Sequence, residues 1–207
     1  MTTAAIVLLI ASLMVAAVDW MAVSKDADRV EELAKPGVML LLIGAGLTLD
    51  PAAESMRWFF IAALALSLIG DLALLPRFDA FLVGLGAFLL AHIAYLLGMI
   101  PQGESWLLAA IALSIAGVVL GVVGRRIHAG ADEADRIPVV VYNLVIAAMF
   151  ISAVATGELL LILGAGLFAV SDSLLGWGRF VGPAPGGRSA VHVTYHLAQG
   201  LLVAGLI

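Results

Sequence analysis

The sequence predicts an all-α, polytopic membrane protein of eight transmembrane helices. They form a single membrane domain over residues 1–207, divided into two parallel four-helix repeats of about 1–101 and 102–207. Three observations carry this expectation. Apolar residues make up 63% of the 207 and charged ones 12%, with a mean hydropathy of +1.15; polytopic helical proteins have this composition and soluble domains of this size do not. The apolar residues fall in long unbroken runs rather than in the period-2 alternation of a closed barrel. Polar landmarks recur in one order at nearly one offset along the chain. Composition also excludes functions. The net charge of −5 is spread over a few loops without a basic patch, so no nucleic-acid partner is expected. Without cysteine there is no disulfide, thiolate nucleophile or cysteine metal site.

Taken against the roughly 20 residues that a span needs, eight windows follow in order. Thr3–Val18 lacks the basic start of a signal peptide and reads as an uncleaved first span. Lys35–Leu49, Trp58–Leu75 and Phe78–Met99 follow, the last two divided only by Pro76-Arg77 as a tight hairpin. Ser105–Val123 is the fifth. Ile137–Ala155 and Glu158–Gly176 form a second hairpin around Thr156-Gly157, and Ser189–Ile207 is the eighth. Longer connections are expected at Asp19–Ala34, Gly124–Arg136 and Trp177–Arg188, the last too rich in Gly and Pro to be helical throughout. It reads as a flap or re-entrant segment.

Nine of the ten basic residues fall in or beside the odd-numbered loops, and Arg57 alone lies on the other side. The positive-inside rule then puts the odd loops in the cytoplasm and both termini outside, in a bacterial inner or plasma membrane. Four landmarks recur about 101 residues apart: Lys35-Pro36 with Arg136-Ile-Pro138, Asp71 with Asp172, Arg77-Phe78 with Arg179-Phe180, and His92-x-x-Tyr95 with His192-x-x-Tyr195. Repeats of four spans each are parallel, and they would place Asp71 and Asp172 at equal depth.

Those two acids are the candidate catalytic pair. A carboxyl at mid-bilayer costs about 2.5–3.5 kcal/mol on insertion scales, so it marks a site by default. No basic residue is expected inside a span to neutralise either one. Two carboxyls sharing a dry pocket cannot both ionise cheaply, which leaves one acid and one base for acid–base hydrolysis. His92, Tyr95, Tyr142, Asn143, Ser171, Ser173, His192, Tyr195 and Gln199 are the remaining polar groups expected to hold substrate or water in a cavity. Taken singly, each would more often be interhelical glue. No Gly-x-Ser-x-Gly elbow marks a serine nucleophile. His192 and His196, spaced i, i+4, could join Asp172 in a zinc site; lacking the Glu of His-Glu-x-x-His, they are an alternative, and no metal or cofactor is expected.

At Lys35-Pro36, Gly70-Asp71-x-x-Leu-Leu75, Gly86-Ala-Phe-x-x-x-His92-x-x-Tyr95, Tyr142, Gly164-Ala-x-x-Phe168-x-x-Ser171-Asp172-Ser and Thr194-Tyr-x-x-Ala-Gln199, the chain resembles the lysoplasmalogenase family, the YhhN-like membrane hydrolases. The resemblance implies an eight-span enzyme that cleaves the vinyl ether bond of a lysoplasmalogen. The products would be a fatty aldehyde and glycerophosphocholine or glycerophosphoethanolamine. It implies roles for Asp71, His92, Tyr95, Tyr142, Ser171, Asp172, Tyr195 and Gln199, while His196 stands where a second tyrosine is expected. The partners expected are a lysophospholipid substrate and membrane lipids. Without the resemblance, a proton-coupled small-molecule or lipid transporter would fit the same acids and histidines, and a zinc-dependent lipid hydrolase is the third alternative.

Overall fold

The computed structural model describes every residue except 104, and the described residues form helices and their connections without a strand. Eight helices follow one another: α1 Thr3–Ser24, α2 Asp28–Thr48, α3 Glu54–Ala73, α4 Phe81–Met99, α5 Trp106–Gly130, α6 Glu133–Thr156, α7 Leu159–Phe180 and α8 Gly187–Ala204. A short 3-10 turn, Ile100–Gln102, extends α4, and Leu120–Gly124 inside α5 takes π geometry. Local chemistry sets several ends. The Thr2 hydroxyl accepts the Ala5 N–H at 3.1 Å at the start of α1, and Ser105 accepts the Leu108 N–H at 3.3 Å at the start of α5. Gly157, left-handed at φ +76°, stops α6 and permits the two-residue turn into α7.

Six of these helices, α1 and α3 to α7, are long and apolar enough to cross a membrane. The expectation of eight spans is thus met on composition by six. The two that fall short carry polar residues along their length: Glu31, Glu32 and Lys35 on α2, and Arg188, His192, His196 and Gln199 on α8. Their buried groups find partners within the bundle, Glu31 with Arg188 and Lys35 with Asp71; α8 contacts α7, α1, α2 and α3. The outward face of α2 is still apolar, with Leu33, Leu40 and Leu47 exposed at seven-residue intervals.

The connections also differ from expectation. α1 runs a turn and a half past Val18 and α2 begins at Asp28, so the supposed loop 19–34 shrinks to Lys25–Ala27. Asp19 and Glu31 therefore lie on helices and are buried. The turn between α3 and α4 is longer than Pro76-Arg77 and spans Leu74–Ala80, with Asp79 at φ +43°. The 177–188 segment is helical to Phe180 and again from Gly187, leaving only a short turn, in which Gly182 and Gly186 take positive φ. The two acids also stand at different places along their helices. Asp71 sits in the last turn of α3, whereas Asp172 lies two turns short of the end of α7.

Two glycines let helices touch. A Cβ at Gly70 would lie 2.6 Å from the Phe88 ring, and one at Gly164 would lie 2.8 Å from Leu202 Cγ and 3.1 Å from the Ala198 carbonyl. Gly164→Ala is expected to cost about 1–3 kcal/mol, read as a lowered melting temperature in detergent. Gly166→Ala, whose Cβ would meet Phe150 at an ordinary 3.7 Å, should leave it unchanged.

Candidate functional site

Both predicted carboxyls are buried, but each has its own partners. On α3, Asp71 Oδ2 accepts the Tyr195 hydroxyl of α8 at 2.8 Å, and Oδ1 lies 3.4 Å from Lys35 Nζ of α2. On α7, Asp172 Oδ2 accepts the Tyr142 hydroxyl of α6 at 2.9 Å and lies 3.2 Å from His92 Nε2 of α4. Each acid thus reaches one helix of its own half of the chain and the last helix of the other half. The two carboxyls make no hydrogen bond to each other among the described residues, so the expected shared proton is replaced by two separate pairs. The expectation that no basic residue lies within a span also fails: Lys35 is the eighth residue of α2, with its side chain 8% exposed. Pairing with Asp71 is what makes a buried ammonium tolerable there.

The His92 pair has a defined proton economy. Its Nδ1 lies 2.6 Å from the Phe88 carbonyl, which can only accept, so Nδ1 carries the hydrogen. Nε2 lies 3.2 Å from Asp172 Oδ2 without a hydrogen bond between them.

Aromatic rings join the two sets. Phe168 packs edge-on against His92 (4.5 Å between centroids) and Tyr195 (5.5 Å), and Phe88 packs against Tyr195 (5.7 Å). Tyr95 donates to Gln199 Oε1. Several buried polar atoms around these rings make no hydrogen bond among the described residues: Ser67 Oγ one turn before Asp71, Asp71 Oδ1, and the Nε2 atoms of His92, His196 and Gln199. Such atoms are ones that water or a polar ligand satisfies.

His192 and His196 belong to a second cluster that was not predicted. His192 Nδ1–H donates to Asp19 Oδ2 of α1 at 2.7 Å, and Trp20 Nε1–H donates to His196 Nδ1 at 3.2 Å. Arg188 Nη2 donates to both oxygens of buried Glu31 at 2.7 Å, and Glu31 Oε1 lies 3.8 Å from His192 Nε2. The zinc alternative fails on this geometry. Asp172 is engaged by His92 and Tyr142, while the two histidines face Asp19, and Trp20 occupies the His196 Nδ1 lone pair. No group of three His, Asp or Glu side chains converges as a metal shell among the described residues.

The other predicted residues divide. Ser171 donates to the Val191 carbonyl at 3.0 Å and Ser173 to the Ala169 carbonyl at 2.7 Å, so both tie backbone. Asn143 and Ser173 line an apolar groove of about 560 Å³ between α5, α6 and α7. The missed residues, Asp19, Glu31, Lys35 and Arg188, had a sequence signal. Glu31, Lys35, Val38 and Leu42 share one helical stripe, and the apolar run continues through Trp20–Val23 after Asp19.

A model of the YhhN family matches residues 30–206, spanning every side chain of the two pairs. The chain belongs to the YhhN family. Among curated proteins, this YhhN chain is 33% identical over 177 residues to a lysoplasmalogenase of Mycobacterium tuberculosis (strain CDC 1551 / Oshkosh), covering 81% of the chain and 67% of that protein. It is 35% identical over 144 residues to the lysoplasmalogenase TMEM86B of Sus scrofa, covering 68% and 59%. To that of Mus musculus it is 31% identical over 151 residues, covering 72% and 63%. The alignments thus take in about six tenths of the mammalian relatives' length. No solved structure matches the YhhN chain.

Proposed function

We propose that this YhhN protein is an intramembrane hydrolase that cleaves the vinyl ether bond of a lysoplasmalogen. It would release a fatty aldehyde and glycerophosphocholine or glycerophosphoethanolamine. The observation that carries the reading is the His92–Asp172 pair, buried among apolar helices in a chain whose relatives are named lysoplasmalogenases. Vinyl ether hydrolysis starts with a proton delivered to the alkene carbon away from oxygen. The oxocarbenium ion that forms takes up water, and the hemiacetal collapses to aldehyde and alcohol. A carboxyl set beside an imidazole suits the first step, because such a group can act as a general acid. Asp172 is the donor in this scheme, and Tyr142 orients it. Asp71, oriented by Tyr195 and Lys35, stabilises the cation and takes the proton of the attacking water; Tyr95 and Gln199 hold that water.

All eight helices are taken to cross the bilayer in this reading, with the odd loops cytoplasmic and the two halves related as parallel repeats. The exchange of partners between the halves supports that arrangement. Transport remains the second reading, since buried ion pairs also serve carriers. α2 and α6, which carry Pro36 and Pro138, nevertheless run unbroken, and the apolar groove between α5, α6 and α7 suits a lipid chain.

The test is incubation of the detergent-purified protein with a panel of lyso-lipids, followed by mass spectrometry. Aldehyde and glycerophosphodiester should appear in equal amounts from vinyl ether lipids and not from their alkyl ether or acyl counterparts. Substrate-dependent proton uptake into proteoliposomes, with no aldehyde formed, would instead favour the carrier.

A further inference from the structure

The apolar groove between α5, α6 and α7 takes no part in the polar pairs. α5 packs along α6 and meets α7 at its own C-terminal end, where a Cβ at Gly176 would lie 3.2 Å from Ile127. Higher up, the two helices stand apart and leave the groove. Its length along α7, from Gly166 to Trp177, is about 16 Å at 1.5 Å per residue. Its volume of about 560 Å³ falls among pockets that hold one small ligand.

Three features say what fits it. The walls are almost wholly apolar, as a hydrocarbon requires; Ser173 spends its hydroxyl on Ala169, leaving Asn143 as the amide in the wall. Asn143 makes no side-chain hydrogen bond among the described residues and follows Tyr142, which holds Asp172. A ligand oxygen at this level would meet an unused amide, one residue along α6 from Tyr142. Finally, charge is confined to one end. Arg126 stacks on Trp177 at 5.7 Å, and Arg125 beside it is exposed; neither forms an ion pair among the described residues. Trp177 closes the groove about 6 Å along α7 from Ser173. A glycerophosphate spans that interval, and guanidinium groups suit phosphate.

We infer that this groove seats the single hydrocarbon chain of a lysophospholipid, with its ether oxygen at Asn143 and its phosphate at Arg125 and Arg126. The inference deepens the hydrolase reading and rests on it for the identity of the chain. Bilayer phospholipid with two chains is the competing occupant.

The test measures equilibrium binding of a tritiated long-chain 1-O-alkyl glycerophosphocholine, which the proposed reaction cannot cleave, to the purified protein. Gly166→Phe, and independently Ile115→Trp on the peripheral α5, should each weaken the palmityl lipid about tenfold or more. The octyl lipid should be bound as before. The Arg125→Gln/Arg126→Gln variant should weaken the phospholipid but leave the matching alkylglycerol unchanged. Unaltered chain-length preference in both filled variants overturns the inference, as does equal binding of a dialkyl phospholipid. The two readings separate cleanly. Aldehyde release with an unshifted chain preference removes the groove and keeps the hydrolase. Shifted binding without any cleavage of a vinyl ether lipid keeps the single-chain groove and removes the hydrolase.

Discussion

Replacing Asp172 with asparagine lowers vinyl ether hydrolysis by about 10²- to 10⁴-fold, the range that a positioned general acid contributes. The amide keeps the shape and can still accept the Tyr142 hydroxyl, so packing around α7 is preserved. What it cannot do is donate a carboxyl proton to the alkene carbon. The defect should therefore appear in kcat, with binding of the non-hydrolysable alkyl ether lipid unaltered. Tyr142→Phe, which removes only the orienting hydroxyl, should lose less. The check is aldehyde release by variants shown to be monodisperse and to melt with the parent protein. Full turnover by Asp172→Asn would end its role as donor.

The largest stability effect is expected at Lys35. Removing one member of a buried ion pair leaves the other uncompensated, at a cost of about 3–5 kcal/mol. Lys35→Met keeps the length of the stem and abolishes the charge, leaving Asp71 with only the Tyr195 hydroxyl. The variant should melt well below the parent. Adding Asp71→Asn should restore most of the loss, because the orphaned charge is then gone. Activity should stay lost in the double variant, since the carboxylate that takes the water's proton is missing. Unchanged melting of Lys35→Met would show that the pair carries no such burden.

The helices were legible because apolar length alone defines a candidate span. Windows four to seven fall close to their helices, and the Gly157 turn was visible as Thr156-Gly157. The candidate acids were legible for the complementary reason, that a carboxyl stands out in an apolar run. What hydropathy hid was the polar interior of α2 and the end of α1. A window average marks Asp19 and Glu31 as loop and Lys35 as the first residue of a span, whereas their spacing puts them on helix faces turned inward. Partners were less legible still. Nothing local ties Asp172 to His92, or His192 to Asp19, which are 173 residues apart in the chain. The matching landmarks led instead to a direct pairing of the two acids. Lys35-Pro36 was noticed as a landmark, yet its place beside a span's apparent start concealed that the ammonium is buried.

The polar lining of α2 and α8 bears on how the chain is made. Lys35 and Asp71 lie on neighbouring helices of the first half and can neutralise each other early in synthesis. Glu31 and Asp19 have to wait for Arg188 and His192, carried by the last of the eight helices to leave the ribosome. Until α8 arrives, the nascent bundle holds two unmatched acids. A chain halted before that point is therefore an easy target for membrane quality control.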